Sequence, residues 1–430
     1  MRTIEYDLTL PIAVNNFMKT DIDRHVRDAF ARAANWLAVA LAVSLPWSTS
    51  ATGIFAALWL IACVPTCDLA SLRRLIRTPA AFLPLMFVAL GAVGMLWADV
   101  AWGQRFGGLS SFYKFLYIPL LLHFFSRLGD ARAVLIGFLA SCAVLLVVSW
   151  TLLAWPDLLK PGAMNTAGVP VKDYISQGAM FTFCMAIVLY FAAQAWRDGR
   201  RGFALILAAV AMLFVANVFY VATSRTSLVL IPILLVLFGT RQFGWKGTIA
   251  SGAVFLLLLA AAWPSAGYLR TRVTTLVQEI QSYNPDGLAT PAGERLVFWT
   301  KSIGFIAAAP VIGHGTGSIR DQFERSIAGR TGMAAEAAAN PHNQILAVGI
   351  QLGFAGIVLL LAMWLSHLML FRVGGPAGWI GLVVAVQNIV GSQFNSHLFD
   401  FTHGWAYVIG IGIAGGVALR QSARVAIDAR

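Results

Sequence analysis

The amino-acid sequence predicts an all-α, polytopic integral membrane protein with about twelve transmembrane helices and one large helical loop outside the membrane. Of the 430 residues, 59% are hydrophobic and 12% are charged, whereas soluble domains are about one quarter charged. Apolar runs recur from Ala34 to Val417, and a run of about eighteen residues can cross the hydrocarbon core. The segment 264–343 interrupts these runs and is much longer than an ordinary connection.

The apolar runs divide the chain into three parts. Residues 1–263 hold about nine predicted spans, residues 264–343 form the loop, and residues 344–430 hold about three more spans. The predicted spans are residues 34–46, 51–69, 80–98, 111–125, 134–155, 177–196, 203–222, 227–239, 248–263, 344–370, 378–395 and 405–419.

The distribution of Lys and Arg predicts how the spans are oriented. Basic residues concentrate in the short connections on one side, for example Arg73, Arg74 and Arg77, and the more basic side of a membrane protein faces the cytoplasm. Both termini are then cytoplasmic, and the long loop lies on the opposite side. The formal net charge of +12 is explained by this topology, so we expect membrane lipids around the chain and no nucleic-acid partner.

The long loop has the pattern of a folded segment. Residues 268–281 and 294–306 carry apolar side chains at three- and four-residue spacing, which predicts amphipathic helices. Turn-forming residues occur at 284–287 and 313–317. We expect a helical cap over the outer face, with the shorter loop 156–176 as its rim.

Three residues at the predicted outer boundary are the main candidates for chemistry, because a charged or titratable group there is costly without a partner. Arg225 lies in a very short link between two spans, and its guanidinium group suits phosphate oxygens. Arg295 begins the second loop helix, whose N-terminal amides favour an anion. His342 directly precedes a long apolar span and can accept a proton from a hydroxyl group at neutral pH.

Each of these residues also has a structural interpretation. Arg225 is then an interfacial arginine that extends its charge towards the lipid headgroups. Arg295 is then part of a solvated helix face, paired with Glu294. His342 is then a structural histidine at the interface.

Other polar residues are weaker candidates. Arg270 and Arg272 on the first loop helix are second-tier phosphate-binding residues, and His314 lies in a turn from which it can contact a sugar. Two clusters have spacings that metal sites sometimes show, but neither has convincing ligands near the long loop. We therefore expect no metal and no cofactor; the clusters are Asp21-Ile22-Asp23 and His397, Asp400 and His403.

The order of these residues resembles that of the O-antigen ligases of Gram-negative inner membranes, part of a larger ligase and polymerase superfamily. The resemblance covers most of the chain as topology and is strongest between residues 295 and 356. Arg225 matches the family's second essential arginine. The matching residues in this stretch are Arg295, Trp299, Pro310, Gly313-His314-Gly315, Pro341-His342-Asn343, Gly353 and Gly356.

The resemblance implies an inverting, metal-independent glycosyltransferase of lipopolysaccharide biosynthesis. Its donor would be a polysaccharide on undecaprenyl diphosphate, and its acceptor a sugar hydroxyl of lipid A-core. It also implies a location in the bacterial inner membrane, with the long loop and the active site facing the periplasm. The resemblance also implies that Arg225 and Arg295 bind the donor diphosphate and that His342 is the catalytic residue.

Three alternatives remain open from the sequence. A lipid-linked oligosaccharide transferase acting on proteins would have the same active site and a different acceptor. An O-antigen polymerase typically has two sizeable periplasmic loops, whereas this chain has one large and one modest loop. A polysaccharide or lipid transporter would be expected to show internal repeats and interrupted helices near the membrane midplane.

Overall fold

The computed structural model describes residues 10–158, 167–281, 290–327 and 338–428. Within these ranges the chain forms α-helices and short 3-10 turns without a β-strand, which confirms the predicted all-α fold. The helices are α1 (Leu10–Ser44), α2 (Thr49–Cys63), α3 (Leu69–Ile76), α4 (Pro79–Val93), α5 (Trp102–Leu109), α6 (Tyr117–Arg127), α7 (Ala131–Ala154), α8 (Tyr174–Arg197), α9 (Arg201–Tyr220), α10 (Arg225–Ala262), α11 (Gly267–Gln281), α12 (Pro291–Ala308), α13 (Ile319–Ser326), α14 (Gln344–Leu370), α15 (Gly375–Gly391) and α16 (Phe401–Asp428).

Every predicted span lies in a helical part of the described chain. Eight helical stretches are long and apolar enough to cross a membrane, and α15 is apolar but shorter. The predicted span 34–46 lies largely in α1, and the predicted span 111–125 comprises a 3-10 turn followed by α6. The eight stretches are Thr49–Thr66, Pro79–Leu96, Ala131–Ala154, Tyr174–Arg197, Arg201–Tyr220, Arg225–Ala262, Gln344–Leu370 and Phe401–Val425.

Helix α10 contains two predicted spans because the chain reverses direction at Gly244. This glycine has φ 66° and ψ −152°, which is not helical. The hydroxyl oxygens of Thr240 and Thr248 are 2.8 Å apart, although residues eight apart in a straight helix are separated by about 12 Å. At the far end of the returning helix, Ser265 hydrogen-bonds Tyr220 at the end of α9. The two halves of α10 therefore form a helical hairpin.

Helix α8 lies at the centre of the bundle. In the most apolar stretch of α8, 83% of the residues are buried, whereas the corresponding share in α7 is 33%. Helix α8 therefore contacts other helices on nearly all sides. Trp379 on α15 donates its indole N–H to the Ala186 carbonyl, 3.0 Å away. Gln387, also on α15, donates to the Ala179 carbonyl at 2.8 Å. These side chains fix α15 against α8 within the apolar interior.

The loop before α8 is held by buried polar side chains. Gln177 donates to the Ser149 hydroxyl at 3.0 Å and to the side-chain Oδ1 atom of Asn217 at 3.1 Å, which joins α8 to α7 and α9. Ser149 in turn donates to the Gly168 carbonyl. Lys172, predicted for the rim, donates to the Leu45 carbonyl and to Thr402; Lys160 lies outside the described residues.

The helices predicted in the long loop are present. They are α11 and α12, and the shorter α13 follows them. The turn predicted at 284–287 lies outside the described residues. Phe298 of α12 and Phe323 of α13 pack edge to face, with ring centroids 5.5 Å apart, in a small cluster that also includes Ile350 of α14. The loop helices therefore have their own contact with the membrane-spanning part.

Helix α14 is interrupted at Gly353, and the loop fills the interruption. Gly353 has φ 60° and ψ −157°, so carbonyl and amide groups on either side of it lose their helical partners. The segment 310–315 supplies new ones: His314 and Gly315 donate their backbone N–H groups to the Ile350 and Gln351 carbonyls, each at 2.8 Å. In the other direction, Phe354 donates to the Pro310 carbonyl at 2.7 Å. We refer to this backbone pairing of residues 310–315 with residues 350–355 as the α14 clasp.

We predict that Gly353→Ala destabilises the folded protein by at least about 1–3 kcal/mol. A Cβ atom at this position would lie 2.5 Å from the Val311 carbonyl carbon, at a positive φ that side chains rarely adopt. The measurement is thermal unfolding in detergent. Gly252→Ala is the control, because a Cβ atom there meets nothing within 4 Å, and it should leave the unfolding temperature nearly unchanged. Equal unfolding temperatures for the two variants would contradict the role of the clasp.

Candidate functional site

Arg225 is the first residue of α10 and follows a buried turn. Ser224 caps the helix by accepting the Ser227 N–H at 3.0 Å, and Thr223 donates to carbonyls at the end of α9. Helix α8 passes very close to this turn, because a Cβ atom on Gly178 would lie 2.5 Å from the Ser227 hydroxyl. The turn is therefore held firmly, and the Arg225 side chain extends from a fixed backbone position.

The guanidinium group of Arg225 is paired with Glu279 of α11. Its Nη2 atom lies 2.9 Å from both carboxylate oxygens, and the side chains are only 18% and 8% exposed. Glu279 also accepts the backbone N–H of Ala292 in the first turn of α12, at 3.1 Å. One carboxylate thus connects α10, α11 and α12. The sequence analysis did not identify Glu279, although it is the only acidic residue in α11.

Arg295 lies on α12, close to this ion pair. Burial lowers the pKa of its guanidinium, and the positive charge of Arg225 lowers it further. Tyr174, Glu279 and the adjacent Glu294 act in the opposite direction. The two arginines are therefore close enough to repel each other, with the Glu279 carboxylate as a shared counter-charge.

His342 adopts a backbone conformation that is rare for a residue with a side chain. Its φ is 54°, and such strain is costly unless neighbouring groups hold it. Its backbone N–H is accepted by the Asn340 side chain at 2.9 Å, and its Nδ1 atom lies 3.2 Å from Asn395 Oδ1. The ring lies nearly parallel to that of Phe298 on α12, at an angle of 23°.

The surroundings of His342 favour its neutral form. Burial lowers the pKa of His342, and the positive charge of Arg295 lowers it further, while the hydrogen bond with Asn395 partly offsets both. A neutral imidazole can accept a proton at neutral pH. Because Arg295 acts on His342 and Arg225 acts on Arg295, the structure brings the three main candidates into one neighbourhood.

The second-tier candidates lie in different settings. Arg270 is exposed on α11. The guanidinium of Arg272 packs over the rings of Tyr174 and Tyr268, 5.2 and 4.8 Å from their centroids. The backbone of His314 belongs to the α14 clasp, and its ring hydrogen-bonds the Phe305 carbonyl of α12 through Nε2, at 2.8 Å. Arg272 is thus near the site through Tyr174, whereas no contact described here connects Arg270 to it.

A polar cavity of about 400 Å³ lies beside the His342 network. Asn340, Asn395 and Ser396 form one wall, and Gln104 of α5 and Gly317 before α13 contribute to the others. Its volume is within the usual range for small-ligand sites, about 300–1,000 Å³. The cavity therefore offers space for a polar group beside Asn340 and Asn395, the two side chains that bond His342, although His342 itself is not part of its wall.

The His397, Asp400 and His403 cluster is arranged as a stacked pair rather than as a metal site. The two imidazole rings are parallel within 21°, with centroids 4.0 Å apart, and Asp400 accepts from His403 Nδ1 at 2.7 Å. No group of three potential ligands with metal-binding geometry occurs among the described residues. Asp21-Ile22-Asp23 lies in the described backbone of α1.

Comparison with known families identifies the segment that holds these residues. Residues 210–361 match a family model described as O-antigen ligase. The chain carries a domain of the O-antigen ligase superfamily. This O-antigen ligase domain includes Arg225, Glu279, Arg295 and His342, as well as the α14 clasp, and its assignment confirms the resemblance found in the sequence. No curated protein sequence matches the chain significantly.

We predict that Glu279→Gln lowers the thermal stability of the empty protein and increases the stabilisation produced by added inorganic diphosphate. Without the carboxylate, two neighbouring guanidinium groups lose their counter-charge, a cost of about 1–3 kcal/mol. A bound anion restores that charge and stabilises the folded state. The measurement is unfolding temperature with and without diphosphate.

The control for this variant is Glu324→Gln. Glu324 pairs with Arg320 at the surface, where the side chains are 46% and 69% exposed, so its loss should cost no more than about 0.5 kcal/mol. It should leave the response to diphosphate as in the wild type. A Glu279→Gln protein that responds to diphosphate no more than the wild type would contradict the shared counter-charge.

Proposed function

We propose that the protein is a glycosyltransferase that moves O-antigen polysaccharide from undecaprenyl diphosphate to a sugar hydroxyl of lipid A-core. The observation that carries this proposal is the grouping of Arg225, Arg295 and His342 in the O-antigen ligase domain. The superfamily assignment supports a lipid-linked polysaccharide substrate, and the grouped residues match the chemistry of a glycosyl diphosphate donor.

In the proposed reaction the acceptor oxygen attacks the anomeric carbon of the donor sugar. A new C–O bond forms there while the bond to the diphosphate oxygen breaks, and attack from the opposite face inverts the configuration. The diphosphate leaves with the bonding electron pair, so negative charge accumulates on it in the transition state. Arg225 and Arg295 stabilise that charge, because preorganised cations in a partly dry site act strongly on developing charge.

His342 takes the proton of the acceptor hydroxyl in this scheme. Its neutral ring meets the requirement for a base at neutral pH. We place the acceptor sugar in the polar cavity whose wall includes Asn340 and Asn395. The two arginines carry the positive charge that a metal ion supplies in many other transferases.

The proposed orientation follows from the charge distribution of the sequence. The cytoplasmic side holds both termini and the link from Arg73 to Arg77, while the loop 264–343 and the active site face the periplasm of a bacterial inner membrane. The donor and acceptor lipids both have their polar groups at that outer surface, which is where Arg225 and His342 adjoin spans.

We predict that the purified protein, in liposomes with lipid-linked polysaccharide, transfers it to lipid A-core in one step and without added metal. Gel analysis of the lipid products would show a ladder of capped lipid A-core, and excess chelator should not prevent it. Donor chains that lengthen on the carrier would indicate a polymerase. Products on added protein would indicate a protein-acceptor transferase. Movement of intact donor across the membrane without transfer would indicate a transporter.

We predict that Arg225→Lys and Arg295→Lys each lower transfer by about two to three decades in rate, equivalent to about 2–4 kcal/mol. Lysine keeps the charge but loses the planar fork that binds two phosphate oxygens. Arg73→Lys is the control, since Arg73 is exposed on α3, and it should transfer at the wild-type rate. If a well-folded lysine variant at position 225 or 295 turned over normally, that arginine would have no part in diphosphate binding.

A further inference from the structure

The orientation of the Asn395 side chain is determined by the backbone. The Asn395 Oδ1 atom lies 2.9 Å from the backbone nitrogen of Ser396. A backbone N–H group can only donate, so the atom facing it must be the amide oxygen and not the amide nitrogen. The same oxygen accepts from Asn340 Nδ2, also at 2.9 Å.

This fixed oxygen determines which nitrogen of His342 carries the proton. Asn395 Oδ1 lies 3.2 Å from His342 Nδ1, and an amide oxygen can only accept a hydrogen bond. Nδ1 must therefore be the donor. A neutral imidazole has one N–H group, so Nε2 is left with its lone pair.

We propose that Asn395 is a positioning residue that holds His342 in the Nδ1–H tautomer, so that Nε2 accepts the proton of the acceptor hydroxyl. This inference rests on the proposed role of His342 in transfer. Asn395 lies outside the matched domain, in the connection between α15 and α16. It acts on the site from a part of the chain that the family match does not cover.

A second asparagine completes the arrangement around the imidazole. Asn340 Oδ1 accepts the His342 backbone N–H at 2.9 Å and the Ser396 hydroxyl at 2.7 Å. The backbone of His342 and the partner of its ring are thus joined in one hydrogen-bonded unit. This unit holds the backbone of His342 at its positive φ, and it holds the imidazole ring in one orientation.

The charge near His342 is positive and favours the neutral form of its imidazole ring. From α12, Arg295 places positive charge near the ring and Phe298 covers one of its faces. From the α15–α16 connection, the ring contacts the uncharged amide of Asn395. An uncharged partner orients the ring without raising its basicity strongly, which a carboxylate in the same place would do.

The test is Asn395→Asp, read as the pH dependence of kcat/KM for transfer. A carboxylate oxygen accepts hydrogen bonds from the same three donors, at His342, Asn340 and Ser396, so the local structure is preserved. Its negative charge raises the pKa of His342, and the ring then stays protonated to a higher pH. We expect the acidic limb of the profile to move up by about 1–2 pH units, with transfer recovering at alkaline pH.

Two further variants complete the test. Asn395→Ala removes the acceptor, and we expect kcat to fall about tenfold or more at every pH, with no upward movement of the acidic limb. Gln393→Glu is the control, because it makes the same amide-to-carboxylate change in the same connection, where the side chain bonds the Ile389 carbonyl and not His342. Gln393→Glu should keep the acidic limb of its kcat/KM profile at the wild-type pH.

The outcomes separate this inference from the proposed function. If His342→Ala abolishes transfer but the limb of Asn395→Asp stays at the wild-type pH, the positioning role is overturned and the base is retained. An equal shift of the acidic limb in Gln393→Glu also overturns it, because any negative charge added to this connection would then have the same effect. If well-folded His342→Ala transfers normally, the proposed base fails, and the role of Asn395 fails with it.

Discussion

The site depends first on the break in α14 at Gly353. In the buried part of a protein, each backbone N–H and C=O group needs a partner, because no water is present to supply one, and Gly353 is buried. A helix that breaks there is stable only if another segment pairs with the exposed groups, and residues 310–315 of the loop do so. The broken helix thereby determines where the loop lies. Since that loop carries Arg295 upstream and leads into His342 downstream, the clasp fixes the relation between them.

The electrostatics of the site follow from this placement. Burial raises the cost of every charge, and yet two guanidinium groups lie close together. The Glu279 carboxylate reduces the cost of bringing them together and ties three helices to the same point. Burial, and then the positive charge of Arg295, lower the pKa of the nearby His342 and so favour its neutral form. In the proposed mechanism the arginines therefore have two effects: they attract an anion, and Arg295 favours an uncharged imidazole that can accept a proton.

Much of this architecture could be predicted from the sequence because it depends on local patterns. Apolar length identifies the spans, three- and four-residue spacing identifies α11 and α12, and position at the membrane boundary singles out Arg225, Arg295 and His342. Glu279 and Asn395 depend on tertiary contacts between distant segments, which no spacing rule reveals. A signal existed for Glu279, the lone acidic residue of an amphipathic loop helix. Asn395 had none, since a single amide in a connection is unremarkable.

The hairpin at Gly244 has a consequence for biosynthesis. Its two helices are joined by a turn so short that Thr240 and Thr248 touch, and Arg241 and Lys246 flank that turn. In the proposed orientation these cations lie on the cytoplasmic side. Because the turn is too short to reach across the bilayer, both cations stay on one side of the membrane and neither has to pass through the hydrocarbon.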